Sequence, residues 1–217
     1  MLNCLYDPEG LTNGYERLIF PAPPIGRPYV AINYAMTLDG KTSLSDKGSR
    51  GLGSETDLKL LLAIRRAMGA VITGAAALRI DRSRYSPEIV RIVVTASGDV
   101  PNEFLTAPGE AIVVRPEPGQ SAVDLEAAIP ALKSKIDRMV CEGGGRLNDQ
   151  MLRFGLVDEI FVTLAPKIKG GRGPTGIDGI GLEGYAQAAL VSAYEESGEL
   201  YLRYRLADPA RGIIGDP

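Results

Sequence analysis

Asp137-Arg138-Met139-Val140-Cys141-Glu142-Gly143-Gly144-Gly145-Arg146-Leu147-Asn148 runs from a short apolar strand, through a carboxylate and three glycines, into a segment of helical spacing. Leu147, Met151 and Phe154 recur at i, i+4 and i+7, which is one side of a helix. Glycines between a strand end and a helix start let the backbone come close to a ligand and aim free N–H groups at it. With the helix dipole added, such a turn suits a phosphate or pyrophosphate. A plain strand-to-helix turn is the alternative, and the stretch alone does not separate the two.

Upstream, Tyr29 to Met36 is a near-continuous apolar strand interrupted by Asn33, and Thr37 to Lys41 turns the chain. A polar, glycine-rich loop from Ser45 to Gly53 precedes a helix. Ser54 is its N-cap and Asp57, three residues on, comes close to completing a capping box. Leu58, Leu61 and Leu62 are expected to supply the buried side of this helix, with Met68 near its end before Gly69. Arg65 is seven residues after Leu58, almost on that stripe. An arginine there must snorkel out or meet an anion, either in a structural salt bridge or on a ligand.

Further strands are expected at Ala70 to Gly74, Arg91 to Thr95, Ala111 to Arg115 and Val157 to Leu164. A short helix is expected over Ala75 to Ile80, with Asp81 at its end. Another helix spans Asp124 to Lys135, where Pro130 should kink or restart it. Ala189 to Tyr194 and Leu200 to Leu206, joined by Glu196-Ser197-Gly198-Glu199, read as an antiparallel hairpin. Strands alternating with helices and closed by a hairpin imply an α/β fold, a mainly parallel sheet covered on both faces. Ligands in such sheets bind beyond the carboxyl ends of the strands. Gly74 to Asp81, Thr95 to Ser97 and Glu142 to Gly145 all fall at such ends. Residues 1–27 read as an N-terminal extension, 28–206 as the domain and 207–217 as a flexible tail.

The chain has 217 residues, 45% hydrophobic and 24% charged, which fits one soluble α/β domain. A formal net charge of −3 offers no overall attraction for nucleic acid or an anionic membrane. Cys4 and Cys141 suggest no disulfide framework. Histidine is absent, which removes the usual imidazole base, most catalytic zinc sites and every Ser-His-Asp or Cys-His mechanism. No apolar run is long enough for a membrane span and no signal peptide is recognisable, so a cytoplasmic protein without a metal is expected. The Rossmann glycine fingerprint and the P-loop are both missing.

Arg27-Pro28-Tyr29-Val30 followed by Ala35-Met36-Thr37-Leu38-Asp39-Gly40-Lys41 resembles the opening of the pyrimidine reductases of riboflavin biosynthesis. The resemblance continues through Gly74, Asp81, Glu142-Gly143-Gly144-Gly145, Leu156-Val157-Asp158-Glu159 and Ala165-Pro166-Lys167-Ile168-Lys169-Gly170-Gly171. It is to the stand-alone or C-terminal reductase unit, without a zinc deaminase domain. It implies a dihydrofolate-reductase-like three-layer fold, a homodimer, NADPH as cofactor and a phosphorylated small-molecule substrate. The implied reaction reduces the ribosyl group of a 5-phosphoribosylamino-pyrimidine to a ribityl chain, by hydride transfer to the sugar C1′ of the ring-opened imine. That chemistry needs positioning and a proton source but neither metal nor covalent nucleophile.

Carried over by residue, the resemblance makes Asp81 and Glu142 catalytic. It gives cofactor contacts to Ala35, Gly51, Gly74, Ala77, Asp81 and Thr95, and to Gly143, Gly144, Gly145, Arg146, Leu147 and Asn148. In this picture the segment from Gly144 to Gln150 cradles the NADPH pyrophosphate. Substrate contacts fall to Ser49, Arg65 and Glu142. The chain departs from the family after Gly74. Ala77 stands where a threonine is usual, and Asp81-Arg82-Ser83-Arg84-Tyr85-Ser86-Pro87-Glu88 replaces a second acid, a proline and a later arginine. Arg82 or Arg84 could supply a displaced phosphate contact. A same-fold reductase of a pterin or other heterocycle, and a non-catalytic nucleotide-binding protein, are the competing readings.

Overall fold

The computed structural model describes residues 1–44, 48–80 and 85–207. Among these, nine strands form one sheet in the order β1-β8-β9-β7-β2-β6-β3-β4-β5. The strands are β1 (Asn3–Tyr6), β2 (Tyr29–Thr37), β3 (Ala70–Gly74), β4 (Val90–Val94), β5 (Ala111–Val114), β6 (Arg138–Cys141), β7 (Glu159–Ala165), β8 (Ala188–Glu196) and β9 (Glu199–Leu206). The helices are α1 (Glu55–Met68), α2 (Ala75–Ile80), α3 (Asn102–Thr106), α4 (Leu125–Ala131) and α5 (Gly145–Arg153). From β7 through β2, β6, β3 and β4 to β5 every pairing is parallel, and β9, β8 and β1 add antiparallel strands at the other side.

Alternation along β2 divides the core. Val30 and Ile32 point to one face, with Leu125, Ile129, Leu147 and Met151 of α4 and α5. Tyr29 and Ala31 point to the other, with Leu60, Ile64 and Met68 of α1. The mainly parallel sheet, its covering on both faces and the C-terminal hairpin are as expected. Pro130 lies inside α4, which ends one residue later and continues as a 3-10 turn over Leu132–Ser134.

The buried side of α1 differs from expectation. Leu58 and Leu62 are exposed, at 52% and 37%, and the stripe against the sheet is Leu60, Ile64 and Met68. That stripe keeps the helical period but is rotated, so that Asp57, Leu61 and Arg65 face the cleft instead. The short helix α3 had no periodic signal in its five residues; Phe104 anchors it beside Val93.

Residues 1–27 contribute β1 to the sheet edge and lay Tyr15 and Phe20 on the α1 face. Leu156-Val157-Asp158-Glu159 owes its acids to this packing. Asp158 takes a two-pronged bond from Arg27 at 2.8 Å on each oxygen and accepts the Val30 N–H. Glu159 accepts from Arg203 and Arg205. Among the described residues, no helix is long and apolar enough to cross a membrane.

Candidate active site

The carboxyl ends of β2, β3 and β6 open onto a cavity of about 220 Å³. Its lining includes Asn33, Tyr34 and Ala35 from β2, Thr73 from β3, and Glu142 to Gly145 with Asn148 after β6. Helix α1 supplies Asp57, Leu61 and Arg65 at i, i+4 and i+8, one face of the helix. Thr175 and Gly176 close the wall from the loop that follows β7.

The turn after β6 is held by β3. The Gly74 N–H donates to the Gly143 carbonyl at 2.8 Å, and Thr73 Oγ1 donates to the same oxygen at 3.0 Å. Gly143 has φ +88°, a left-handed conformation that glycine adopts at little cost, and the Gly143–Gly144 peptide is cis. Gly144 is the N-cap of α5 and provides no side-chain cap, so the amides at the start of α5 precede the first intrahelical bond. A Cβ at Gly144 would meet nothing within 4 Å, so this glycine faces open space. Gly145 is tight instead: a Cβ there would lie 2.7 Å from the Thr175 carbonyl oxygen. Asn148, 1% exposed, donates to the Gly176 carbonyl at 2.7 Å and accepts from Cys141 Sγ, tying α5 to the closing loop.

Arg65 and Glu142 meet across the cavity in a two-pronged ion pair. Arg65 Nε donates to Glu142 Oε1 and Nη2 to Oε2, both at 2.6 Å, with side chains 6% and 12% exposed. Tyr85 lies under the guanidinium, 4.6 Å from ring centroid to Cζ. Burial disfavours the Arg65 charge, but the bonds to Glu142 outweigh it and the pKa moves up. The pair is the salt-bridge alternative for Arg65, set within the cavity wall. It also balances a carboxylate that would otherwise repel an incoming phosphate.

Asp57 completes only half of the expected capping box. Its N–H donates to Ser54 Oγ at 3.2 Å, but the Ser54 N–H is bonded by Glu199 instead. The Asp57 carboxylate is thereby released from capping. Burial raises its pKa, a hydrogen bond from Thr163 opposes that, and the nearby Glu199 raises it further. Cys141 is fully buried and its thiol is pushed up to about 12 by burial, an inert group at neutral pH. Among the described residues, no three His, Cys, Asp or Glu side chains are grouped to hold a metal ion.

Of the residues singled out from sequence, Ala35, Ser49, Arg65, Ala77, Glu142, Gly143, Gly144, Gly145 and Asn148 line the cavity. Gly51, Gly74, Thr95, Arg146 and Leu147 are not in its lining. The Gly51 carbonyl accepts from Lys167 Nζ, Gly74 braces the turn, and Thr95 Oγ1 accepts the Gly98 N–H. Leu147 packs into the core, and Arg146 projects outward from the first turn of α5. Asp81, Arg82 and Arg84 lie outside the described residues, as does the segment from 208 onward. Asp57, Tyr34 and Thr175 were missed. Asp57 alone left a signal, since it falls eight residues before Arg65 on the same helix face.

Asp39, read as part of a turn, does more. It accepts from Thr37 Oγ1 at 2.7 Å and from the N–H groups of Lys169 and Gly170 at 3.0 and 2.8 Å. Those bonds hold its carboxyl down at about 2. Lys167 reaches the Gly51 and Leu52 carbonyls at 2.7 and 2.6 Å, which ties the loop after β7 to the loop before α1.

A family model of the RibD C-terminal domain matches residues 28–200. The 2,5-diamino-6-ribosylamino-4(3H)-pyrimidinone 5′-phosphate reductase of Methanothermobacter thermautotrophicus is 33% identical over 212 residues, covering 82% of this chain and 98% of its own. RibD of Acinetobacter baumannii, form 1, superposes with a TM-score of 0.71 at 22% identity, over 84% of this chain and 59% of that one. Dihydrofolate reductase of Enterococcus faecalis, solved with NADP(H) and RAB-propyl, gives a TM-score of 0.54 at 15% identity, over 83% and 97%. At such identities the structural likeness is one of fold, and the fold is dihydrofolate-reductase-like.

Proposed function

The chain belongs to the RibD C-terminal domain family, and from that premise we propose that it reduces the ribosyl group of a 5-phosphoribosylamino-pyrimidine to its ribityl form, with NADPH as reductant. The observation that carries this reading is convergence. Ala35 of β2, Arg65 of α1, and Glu142 with Gly143 to Gly145 after β6 come from separate parts of the chain and line one cavity. The 33% identity to a reductase named for such a substrate supports it further.

The residues present fit a nicotinamide dinucleotide. Gly144 faces open space where a side chain would intrude, and it caps a helix whose first amides lack intrahelical acceptors. Gly143 to Gly145 and Asn148 would hold the pyrophosphate, with Arg146 adding positive charge at its edge. Ala35 and Ala77 contribute small side chains to the wall, leaving room for a flat ring. The chemistry supplied there when the cofactor is bound is hydride donation to the C1′ carbon. The protein's own part is to orient and to move a proton. The Arg65–Glu142 pair, fixed over Tyr85, forms a rigid polar wall for the substrate. Ser49 lies at the same wall, and Asp81 is the proposed proton relay.

NADPH oxidation, followed by loss of its absorbance, tests the reading with the ribosylaminopyrimidine phosphate and with dihydrofolate as alternative substrates. Turnover with the former alone is expected. Glu142→Ala should lower kcat/KM about 10²-fold or more, since it removes the anchor of Arg65 as well as a substrate contact. Reduction of dihydrofolate in preference would replace the reading, and absence of any nucleotide binding would end it. Sedimentation at assay concentration tests the homodimer that belongs to the same reading.

A further inference from the structure

At the start of α1 two carboxylates compete for one donor. Ser54 is the N-cap and Asp57 the third helical residue, the place from which a side chain ordinarily reaches back to the N-cap N–H. In this chain Glu199, the first residue of β9, accepts that N–H instead, at 3.2 and 3.3 Å on its two oxygens. It also accepts from Ser54 Oγ and, at 2.7 Å, from Tyr201 Oη. Glu199 is 3% exposed, these donors are all neutral, and it is not in the cavity lining. Burying a second carboxylate is costly, and Asp57 was at hand to cap the helix locally. The sheet register nevertheless delivers Glu199 to this point. Thr163 of β7 pairs with Tyr201 of β9, and residues two apart on a strand share a face. Thr163 hydrogen-bonds the Asp57 carboxylate, while Tyr201 Oη lies 3.2 Å from Ser54 Oγ. Gly53 leaves Asp57 its space, since a Cβ there would lie 2.0 Å from Asp57 Oδ2.

We propose that Glu199 is a positioning residue: by occupying the Ser54 N–H it prevents Asp57 from capping its own helix, and so holds the Asp57 carboxylate in the cavity wall. The inference rests on the reductase reading above. Asp57 packs against Gly53, adjacent to the Ser54 N–H, so a side-chain rotation suffices to close the capping box once that N–H is vacant. Two effects oppose the rotation in the intact chain. The donor is already taken, and the negative charge of Glu199 repels a second carboxylate brought to the same N–H. Removing the Glu199 carboxylate lifts both at once. Asp57 then turns toward the helix start, and a substrate in the cavity loses one charged partner.

The test measures kcat and KM for the ribosylaminopyrimidine phosphate, and the Kd of NADPH, in Glu199→Ala, Glu199→Met and Glu199→Gln, with thermal unfolding of each. Ala and Met remove the acceptor, and Met keeps the packing; Gln retains a carbonyl oxygen for the Ser54 N–H. Ala and Met are expected to raise the pyrimidine KM about 10- to 100-fold, the factor of one hydrogen bond to a charged group, with the NADPH Kd unchanged. Gln should stay close to the wild-type KM. Ser54→Pro deletes the competing N–H at a position whose φ is −82°, close to that of proline. Added to Glu199→Ala or Glu199→Met, it should bring the KM back down, whereas a merely structural Glu199 predicts a further loss. An unchanged KM in Ala and Met, a defect in Gln as large as theirs, or no recovery with Ser54→Pro overturns the positioning role and leaves the reductase reading in place. So does failure of Glu199→Met to fold, which would make Glu199 structural. A wild type that does not reduce the ribosylaminopyrimidine phosphate overturns both.

Discussion

Arg65 illustrates what a single residue discloses. Its expected place near an apolar helix stripe left it to snorkel out or to meet an anion, and the sequence could say no more because the anion is 77 positions away, at the end of β6. Only the parallel register of β6 between β2 and β3 brings Glu142 over α1. The three glycines beside Glu142 were equally ambiguous in sequence, and their packing now separates them. Gly145 is structural, since a Cβ would press on backbone at Thr175 and Asp178, at 2.7 and 3.1 Å. Gly144 is open. Gly145→Ala should therefore lower stability in denaturant by about 1–3 kcal/mol, as overpacking does. Gly144→Ala should leave the unfolding midpoint within about 0.5 kcal/mol while raising the KM for NADPH. Equal effects of the two substitutions on stability would remove the distinction, and an unchanged KM in Gly144→Ala would remove the cradle.

At the scale of elements, the strands and long helices were legible because each carries a hydrophobic period or a punctuating residue. Ser54 caps α1, Asp124 caps α4 by accepting the Ala127 N–H, and Gly69 ends α1 in a left-handed conformation. The rotation of α1 was not legible. Leu58 and Leu62 compete with Leu60 and Ile64 for the same period, and only the sheet decides between them. The loops were also opaque, because their order comes from distant partners rather than local pattern. Asp39 shows this. Its two backbone bonds to Lys169 and Gly170 and the bond from Thr37 depress its pKa to about 2, below the ordinary 3.8. A carboxyl depressed in the folded state stabilises it above the unfolded pKa and loses that contribution as pH falls through the folded value. The brace between the turn after β2 and the loop after β7 is therefore intact above pH about 4 and released toward pH 2. A titration followed at the Gly170 amide by NMR should give a midpoint near 2, and Asp39→Asn should abolish it. A midpoint at or above 3.8 would mean the bonds are not held in solution.

At the scale of the whole molecule, the sheet is finished by the first twenty residues. Arg203 of β9 is fully buried and lies between Phe20 and Phe161, with ring centroids 4.5 and 5.3 Å from its Cζ. It donates to Glu159, also fully buried, and to the carbonyls of Leu11 and Ile19 at 2.9 and 2.8 Å. Asp7 gathers the N–H groups of Leu11, Thr12 and Asn13 and accepts from Tyr194 Oη, so the arm is folded on itself as well as on the sheet. A pattern of turns and prolines concealed this, because the arm's contribution is mostly backbone acceptors for a cation some 190 residues later. Deleting residues 1–20 would leave three guanidinium bonds of Arg203 unmade, to the Leu11 and Ile19 carbonyls and to Thr12 Oγ1, at about 1.5–3 kcal/mol for each bond to a charged group. Losing the buried Tyr15 side chain would cost about 1.5–3 kcal/mol, and losing the half-buried Phe20 a part of that. The sum rivals the whole stability of an ordinary domain, about 5–15 kcal/mol. The truncated chain is therefore expected to lose its cooperative unfolding transition or to melt far below the intact protein, although the cavity, about β2, β3 and β6, lies away from the deletion. Arg203→Met separates the two contributions, because it keeps the aromatic packing and strands Glu159 with Arg205 alone. If the truncated chain unfolds cooperatively at the same midpoint as the full one, the arm is a covering rather than a part of the core.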